Sequence, residues 1–408
     1  MYVLDDAANF TNKTLPVCLL IPETLSSQIA KTVAYVIIIV CSLIGNAFVV
    51  YIVWQSIRLR TVINFFICNL AVSDILVAAL CEPNMITQLF LGNKWIFGTV
   101  LCKLIVFFQS VTIASSVFTL LAISGDRYLA IVFPLRRRLS FTKAKIIVAV
   151  IWTVSIVMMA PLIYAQRVKT AIQGDYDVCI EEWSPVFEKE KAPRDFTVVL
   201  FVTMYVVPLI TMGVLYFIIC LKLWQRKLPG EKSSRSDVKI QAGRKKIVKM
   251  LMTIIVIFAL CWLPLWLFQF LIFFSRDKYP CIAFNRTFYF LALFLGHSNS
   301  AINPFLYALL NKNFRQGFKQ ACSCLKARKY ETSLPTSARP SLLKRYRSEQ
   351  SLASSRNSLA YSPNKKSNFT QKTLSCFVLQ RNDDSNTMTT GISYNRRSST
   401  TSETFRRD

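Results

Sequence analysis

Seven long apolar stretches constrain this chain more than any other feature. Six carry no charged residue at all: 32–57, 104–125, 146–166, 196–221, 250–275 and 287–311. A seventh, 61–93, is apolar apart from Asp74 and Glu82. About 20 residues suffice to cross a hydrocarbon core of roughly 30 Å as a helix, and every one of these stretches is long enough. Only 17% of the 408 residues are charged, against about 25% for a soluble domain. The soluble globular and all-β classes are excluded. The net charge of +27 does not indicate a nucleic-acid partner, because the basic residues flank spans or lie in a polar tail rather than on a folded basic face.

The predicted fold is an all-α membrane protein, a seven-transmembrane helix bundle over 28–311. An extracellular tail precedes it at 1–27, and a short amphipathic helix on the inner membrane surface follows at 312–325. Residues 326–408 are rich in Ser, Thr, Arg and Asn without periodicity and read as a disordered cytoplasmic tail. The N-terminal stretch has acidic residues and no basic n-region, so an uncleaved first helix is expected.

Orientation follows from Lys and Arg in the short loops. Segment 127–145 carries Arg127, Arg136, Arg137, Arg138, Lys143 and Lys145, and segment 222–249 ends on Arg244, Lys245, Lys246 and Lys249. The alternate loops are thinner or balanced in charge. The basic loops therefore face the cytoplasm, and the N-terminus faces outside at the plasma membrane. Sequons at Asn9, Asn12 and Asn285 all fall on the expected outer side.

Four cysteines, Cys18, Cys102, Cys179 and Cys281, lie in or beside outer segments, where the medium is oxidising. They permit three connectivities. The favoured one joins Cys102 to Cys179 and Cys18 to Cys281; in the alternative, Cys18 and Cys281 are free. Cys322 and Cys324 follow the amphipathic stretch and are palmitoylation candidates. No cysteine or histidine cluster suggests a metal site, and the single histidine is His297.

A carboxylate within hydrocarbon costs about 2.5–3.5 kcal/mol on insertion scales, so Asp74 requires a purpose. Asn46, Ser116, Asn299 and Asn303 are available to face it. Such a set suits a sodium ion or a proton, or else a neutral Asp74 that only packs helices; the residues alone leave both open. Asp126-Arg127-Tyr128 closes an apolar run at its cytoplasmic end. Pro208, Pro264 and Pro304 fall mid-span and supply kinks. Kinked helices around an intramembrane carboxylate favour a device that switches.

At these positions the sequence resembles the rhodopsin-like G-protein-coupled receptors, over about residues 28–325. The marks are Gly45-Asn46, Asn69-Leu70-Ala71-Val72-Ser73-Asp74, Trp95-Ile96-Phe97-Gly98, Cys102, Asp126-Arg127-Tyr128, Trp152, Pro208, Cys261-Trp262-Leu263-Pro264 and Asn303-Pro304-Phe305-Leu306-Tyr307. The resemblance implies a sodium pocket at Asp74, Ser116, Asn299 and Asn303, with Asn46 nearby. It implies a relay through Trp262, Pro208, Val117, Phe258 and Pro264. It also implies that Asp126 holds Arg127 at rest, and that Arg127 then meets Tyr216, Tyr307 and a heterotrimeric G protein. Arg244 stands where some relatives have a Glu to restrain Arg127, so measurable basal signalling is expected. Phosphorylation of the tail by receptor kinases would recruit arrestin.

The ligand is narrowed mostly by exclusion. Amine receptors carry an Asp where this chain has Gln109, and opsins a Lys that 287–311 lacks. Gln109 and Gln269 are expected to face each other across the pocket and offer neutral amides that suit the amidated C-terminus of a peptide. Glu82, Glu181 and Glu182 suit a basic ligand residue near the mouth. Cys179-Ile180-Glu181-Glu182-Trp183 and Cys261-Trp262-Leu263-Pro264-Leu265-Trp266 resemble the RFamide group, near the neuropeptide FF, neuropeptide Y and orexin receptors. Another peptide or a non-peptide ligand is the alternative. A proton-coupled transporter using Asp74 and Glu82 is the remote one, and it lacks the internal repeat that transporters show. Neither motif nor spacing supports an enzyme, and the only cofactor expected is an allosteric sodium ion.

Overall fold

The computed structural model describes residues 24–91, 94–135, 139–171, 176–225, 235–275, 286–319 and 321. The chain divides into two units, Met1–Phe318 and Lys319–Asp408, and the account below concerns the first. Asn9, Asn12, Cys18, Cys281, Asn285, Cys322 and Cys324, with the expected outer and cytoplasmic tails, lie outside the described residues.

The main helices are α1 (Leu25–Gln55), α2 (Val62–Leu91), α3 (Gly98–Val132), α4 (Phe141–Ala165), α5 (Lys191–Gln225), α6 (Arg235–Phe274) and α7 (Arg286–Leu310). Six of them, α1 to α6, are long and apolar enough to cross a membrane. The exception, α7, carries Gly296-His297-Ser298-Asn299-Ser300 at its centre, and His297, Asn299 and Ser300 are buried against the other helices. A shorter helix, α8, follows over 312–319.

The core is mainly apolar, but burial departs from that of a soluble protein at both ends of the scale. Ile37, Ile44, Val157, Ile210, Phe217 and Leu260 are exposed, while Asn46, Asp74, Ser115, Thr119, Ser124 and Ser155 are buried. This pattern fits a hydrocarbon solvent, in which apolar packing gives no transfer gain and small or polar residues join the helices. Asn69 is the clearest joint. Its amide donates to Thr119 Oγ1 at 2.8 Å, and its carbonyl accepts from Trp152 Nε1 at 2.9 Å, so one residue of α2 ties α3 and α4. Gly45 serves a close approach: a Cβ there would lie 2.9 Å from the ring carbons of Pro304. Thr24, Thr61 and Ser140 cap α1, α2 and α4, each side-chain oxygen accepting from the backbone N–H three residues on.

Proline shapes the helices in two ways. Pro264 and Pro304 lie inside α6 and α7. In α2 and α5 a π-helical turn, Val77–Cys81 and Val202–Val206 respectively, ends two residues before Pro83 and Pro208. Proline cannot donate and crowds the preceding turn, and widening that turn accommodates it. Pro83 therefore joins the three prolines expected from the sequence.

Among the described residues one β-hairpin interrupts the helices. Gln166–Thr170 (β1) pairs antiparallel with Asp177–Glu181 (β2), with Val168 opposite Cys179. The Cys102–Cys179 disulfide fastens this hairpin to the first turn of α3, and Trp95 N–H donates to Asp177 O at 2.7 Å.

Candidate functional site

The candidate residues form three levels along the bundle. The first is centred on His297 of α7, which is buried. Its Nε2 lies 3.0 Å from Gln109 Nε2 of α3, and its Nδ1 lies 3.3 Å from the Tyr35 hydroxyl of α1. An amide NH2 only donates, so with the Gln109 amide in this orientation the imidazole accepts at Nε2 and donates from Nδ1 to Tyr35. Phe290 and Phe294 hold the Tyr35 ring edge-on at 5.6 and 5.7 Å. Gln109 thus reaches His297 rather than Gln269, which is half-buried on α6.

Glu82 of α2 is completely buried, deeper than a place at the mouth, and neither carboxylate oxygen has a hydrogen-bond partner among the described residues. It is an electrostatic neighbour of Tyr35 and of Asp74. The two loop glutamates are already engaged. Lys169 Nζ donates to Glu182 Oε1 at 2.6 Å, and Ser184 Oγ adds a second bond. The ammonium holds the Glu182 carboxyl below the usual range. Glu181 accepts from Trp183 Nε1 at 2.7 Å, yet burial raises its pKa.

The second level surrounds Asp74. Asn303 Nδ2 donates to Asp74 Oδ2 at 2.9 Å. A small cavity of about 10 Å³ is lined by Asp74, Ser116, Asn299, Ser300, Trp262 and His297 among others, close to the smallest space that holds a single water. Asn299 Oδ1 is buried there without a hydrogen-bond partner among the described residues. Asn46 stands to one side: its Nδ2 donates to Ser42 O and Ser300 O, both at 3.0 Å, and so bridges α1 to α7. The Trp262 ring packs on Gly296, where a Cβ would lie 3.3 Å from it, and on Phe258 at 6.3 Å between centroids. His297 and Trp262 both line the Asp74 cavity, so the first two levels share a wall.

The third level is a cavity of about 800 Å³ at the opposite end of α3, lined by Asp126, Arg127, Thr61, Lys143, Arg244 and Ile247 among others. Arg127 donates from Nε to Asp126 Oδ2 at 3.0 Å, and a second guanidinium nitrogen bonds the same oxygen. Tyr216 and Tyr307 are buried; Tyr216 lies beside Ser124, and the Tyr307 hydroxyl has no hydrogen-bond partner among the described residues. Tyr128 turns away and packs edge-on against Phe133 at 5.9 Å. Arg244 faces Arg127 across this cavity with like charge.

The model of the 7 transmembrane receptor (rhodopsin family) matches residues 45–307. The chain belongs to this family. It is a membrane receptor that crosses the bilayer several times and is not an enzyme. Among its relatives, the substance-P receptor of Aquarana catesbeiana is 35% identical over 74% of this chain and 72% of its own length. The RYamide receptor of Drosophila melanogaster is 34% identical over 74% of this chain and 66% of its own. The human substance-P receptor is 33% identical over 71% and 70%.

The structure brings Asp74, Ser116, Asn299 and Asn303 together in one place, and Asp126, Arg127 and Arg244 in another. Two residues of the first level, His297 and Tyr35, were not expected there. A lone histidine carries no motif. The available signal was its burden as an imidazole inside an apolar run, which requires polar partners on facing helices.

Proposed function

We propose that this chain is a cell-surface receptor for a C-terminally amidated neuropeptide with a basic residue near its end, of the Arg-Phe-amide kind. The observation that carries this reading is a neutral, hydrogen-bonding floor of Gln109, His297 and Tyr35 beside a buried carboxylate, Glu82, that lacks a partner. A terminal carboxamide is uncharged and both donates and accepts, which suits that floor. A free carboxylate would have to be buried without a cation. Glu181 and Glu182 already bond Trp183 and Lys169, so Glu82 is the group left to pair with the ligand's guanidinium or ammonium. Gln269 and Trp262 complete the ligand contacts. Similarity to an RYamide receptor supports an amidated ligand.

Orientation is assigned by the Arg and Lys content of 127–145 and 222–249, with the N-terminus outside. Binding favours a state in which α6 moves outward about Pro264, by the difference between the ligand's affinities for the two states. That movement enlarges the cavity around Arg127 for a heterotrimeric G protein. The side-chain oxygens of Asp74, Ser116 and Asn299 fit a hard cation, and sodium is the one we assign. Glycans at Asn9, Asn12 and Asn285, acyl groups at Cys322 and Cys324, a Cys18–Cys281 bridge, and tail phosphorylation with arrestin recruitment complete the reading.

The test of the site is Gln109→Ala. Agonist potency should fall about tenfold, as for a buried hydrogen bond lost with its partner left unpaired, while surface expression holds. The fall should be smaller for the free-acid form of the same peptide, which makes poor use of the floor. Unchanged potency for the amide removes Gln109 from the binding site.

A further inference from the structure

Between the ends of α5 and α6 nearest residues 225 and 235 runs a groove of about 510 Å³ that opens away from the bundle. Leu223 and Val248 are buried at its floor, and the Cys220 and Met252 sulfurs meet across it at 3.8 Å. On α6, Lys245, Lys249, Met252, Thr253 and Val256 fall at helical spacing along one stripe. The stripe is chemically graded. Two exposed lysines stand at one end, neither in an ion pair among the described residues. Apolar lining then continues for roughly 10 Å toward Val256 at 1.5 Å per residue. Trp224, 83% exposed, stands at the charged end, where an indole suits the level of lipid headgroups. Beyond the groove Phe217 and Leu260 continue the exposed apolar surface.

We propose that this groove binds an anionic phospholipid, its phosphate held by Lys245 and Lys249 and an acyl chain lying along Leu223, Met252 and Val256. The apolar part opens on hydrocarbon, so its occupant is lipid-soluble, and the paired cations select negative charge in the headgroup. Anionic lipids concentrate in the cytoplasmic leaflet, so the site rests on the cytoplasmic placement of 222–249 proposed above. Arg244 faces the inner cavity instead, so the lipid-facing and inward-facing cations of α6 are distinct groups. An occupant held here would lie against the segment of α6 that must move during signalling.

The test uses the purified full-length receptor in bilayer discs containing equal phosphatidylserine and phosphatidylcholine. Lipid retained by the protein is then counted by native mass spectrometry. No peptide is added, so the outcome is independent of the ligand assignment. The intact receptor should retain phosphatidylserine preferentially. Lys245→Gln with Lys249→Gln should lower that retention about tenfold, since each lysine near an anionic surface has a sizeable electrostatic effect. Thr253→Trp changes no charge and fills the groove, and it should lower retention as well. Lys143→Gln with Lys145→Gln removes the same charge from the end of α4 and should leave retention intact. Three results would overturn the proposal: preference surviving the Lys245/Lys249 double variant, equal loss in the Lys143/Lys145 pair with no effect of Thr253→Trp, or retention of phosphatidylcholine alone.

Discussion

Arg127→Ala should leave peptide affinity within about threefold of the intact receptor and reduce agonist-stimulated nucleotide exchange on a G protein to the level of empty membranes. The guanidinium lines a cavity of about 800 Å³ that contains none of the first-level residues Tyr35, Glu82, Gln109 and His297, so ligand contacts survive its removal. In the structure Arg127 spends its described hydrogen bonds on Asp126. In the proposed state with α6 moved outward, the buried hydroxyls of Tyr216 and Tyr307 would offer a second set of acceptors. Alanine takes away both sets together with the charge presented to the partner. Paired radioligand and nucleotide-exchange measurements on the same membranes check this. Signalling that persists at half or more of the normal amplitude would mean that Arg127 only anchors a span boundary.

The second large effect is expected from Cys102→Ser, which should abolish high-affinity binding and most surface expression. The bridge to Cys179 closes a sequence separation of 77 residues. In the chain-entropy account, a loop of that length is worth about 4 kcal/mol, a large part of the stability of a typical domain. The bridge also holds β1 and β2 over the end of the bundle, with Glu181 and Glu182 on the same strand end. Cys41→Ala removes a thiol that lies within α1 and should change neither property by more than twofold. Immunodetection at the cell surface together with peptide binding separates the two variants. Equal behaviour would show that the hairpin is held by its other contacts, such as the Trp95–Asp177 bond.

The fold was legible because bilayer thickness makes a helix of about 20 apolar residues the only cheap way across, and seven such runs are plain in the chain. Asp74, Asp126 and Arg127 were legible for the complementary reason: charge in or beside hydrocarbon is too costly to be idle. The hairpin Gln166–Glu181 was not, because its two five-residue strands alternate weakly and depend on a disulfide. The Gln109–His297 pair was not legible either. It joins residues 188 apart in sequence, and no local pattern fixes which faces of α3 and α7 meet. The same limit explains Glu182, whose partner Lys169 becomes visible only once the strands are in register.

The central claim is tested most directly by exposing cells that carry the receptor to paired peptides ending in Arg-Phe-amide or in the free acid. A promiscuous G protein converts activation into a calcium signal. The account predicts a response at nanomolar amide and a loss of at least a hundredfold for the acid, on the order of 3 kcal/mol for a buried charge left unpaired. Equal potency of the two forms, or silence with surface expression verified, would contradict the assignment of an amidated Arg-Phe ligand and direct the search to other ligands of the same receptor.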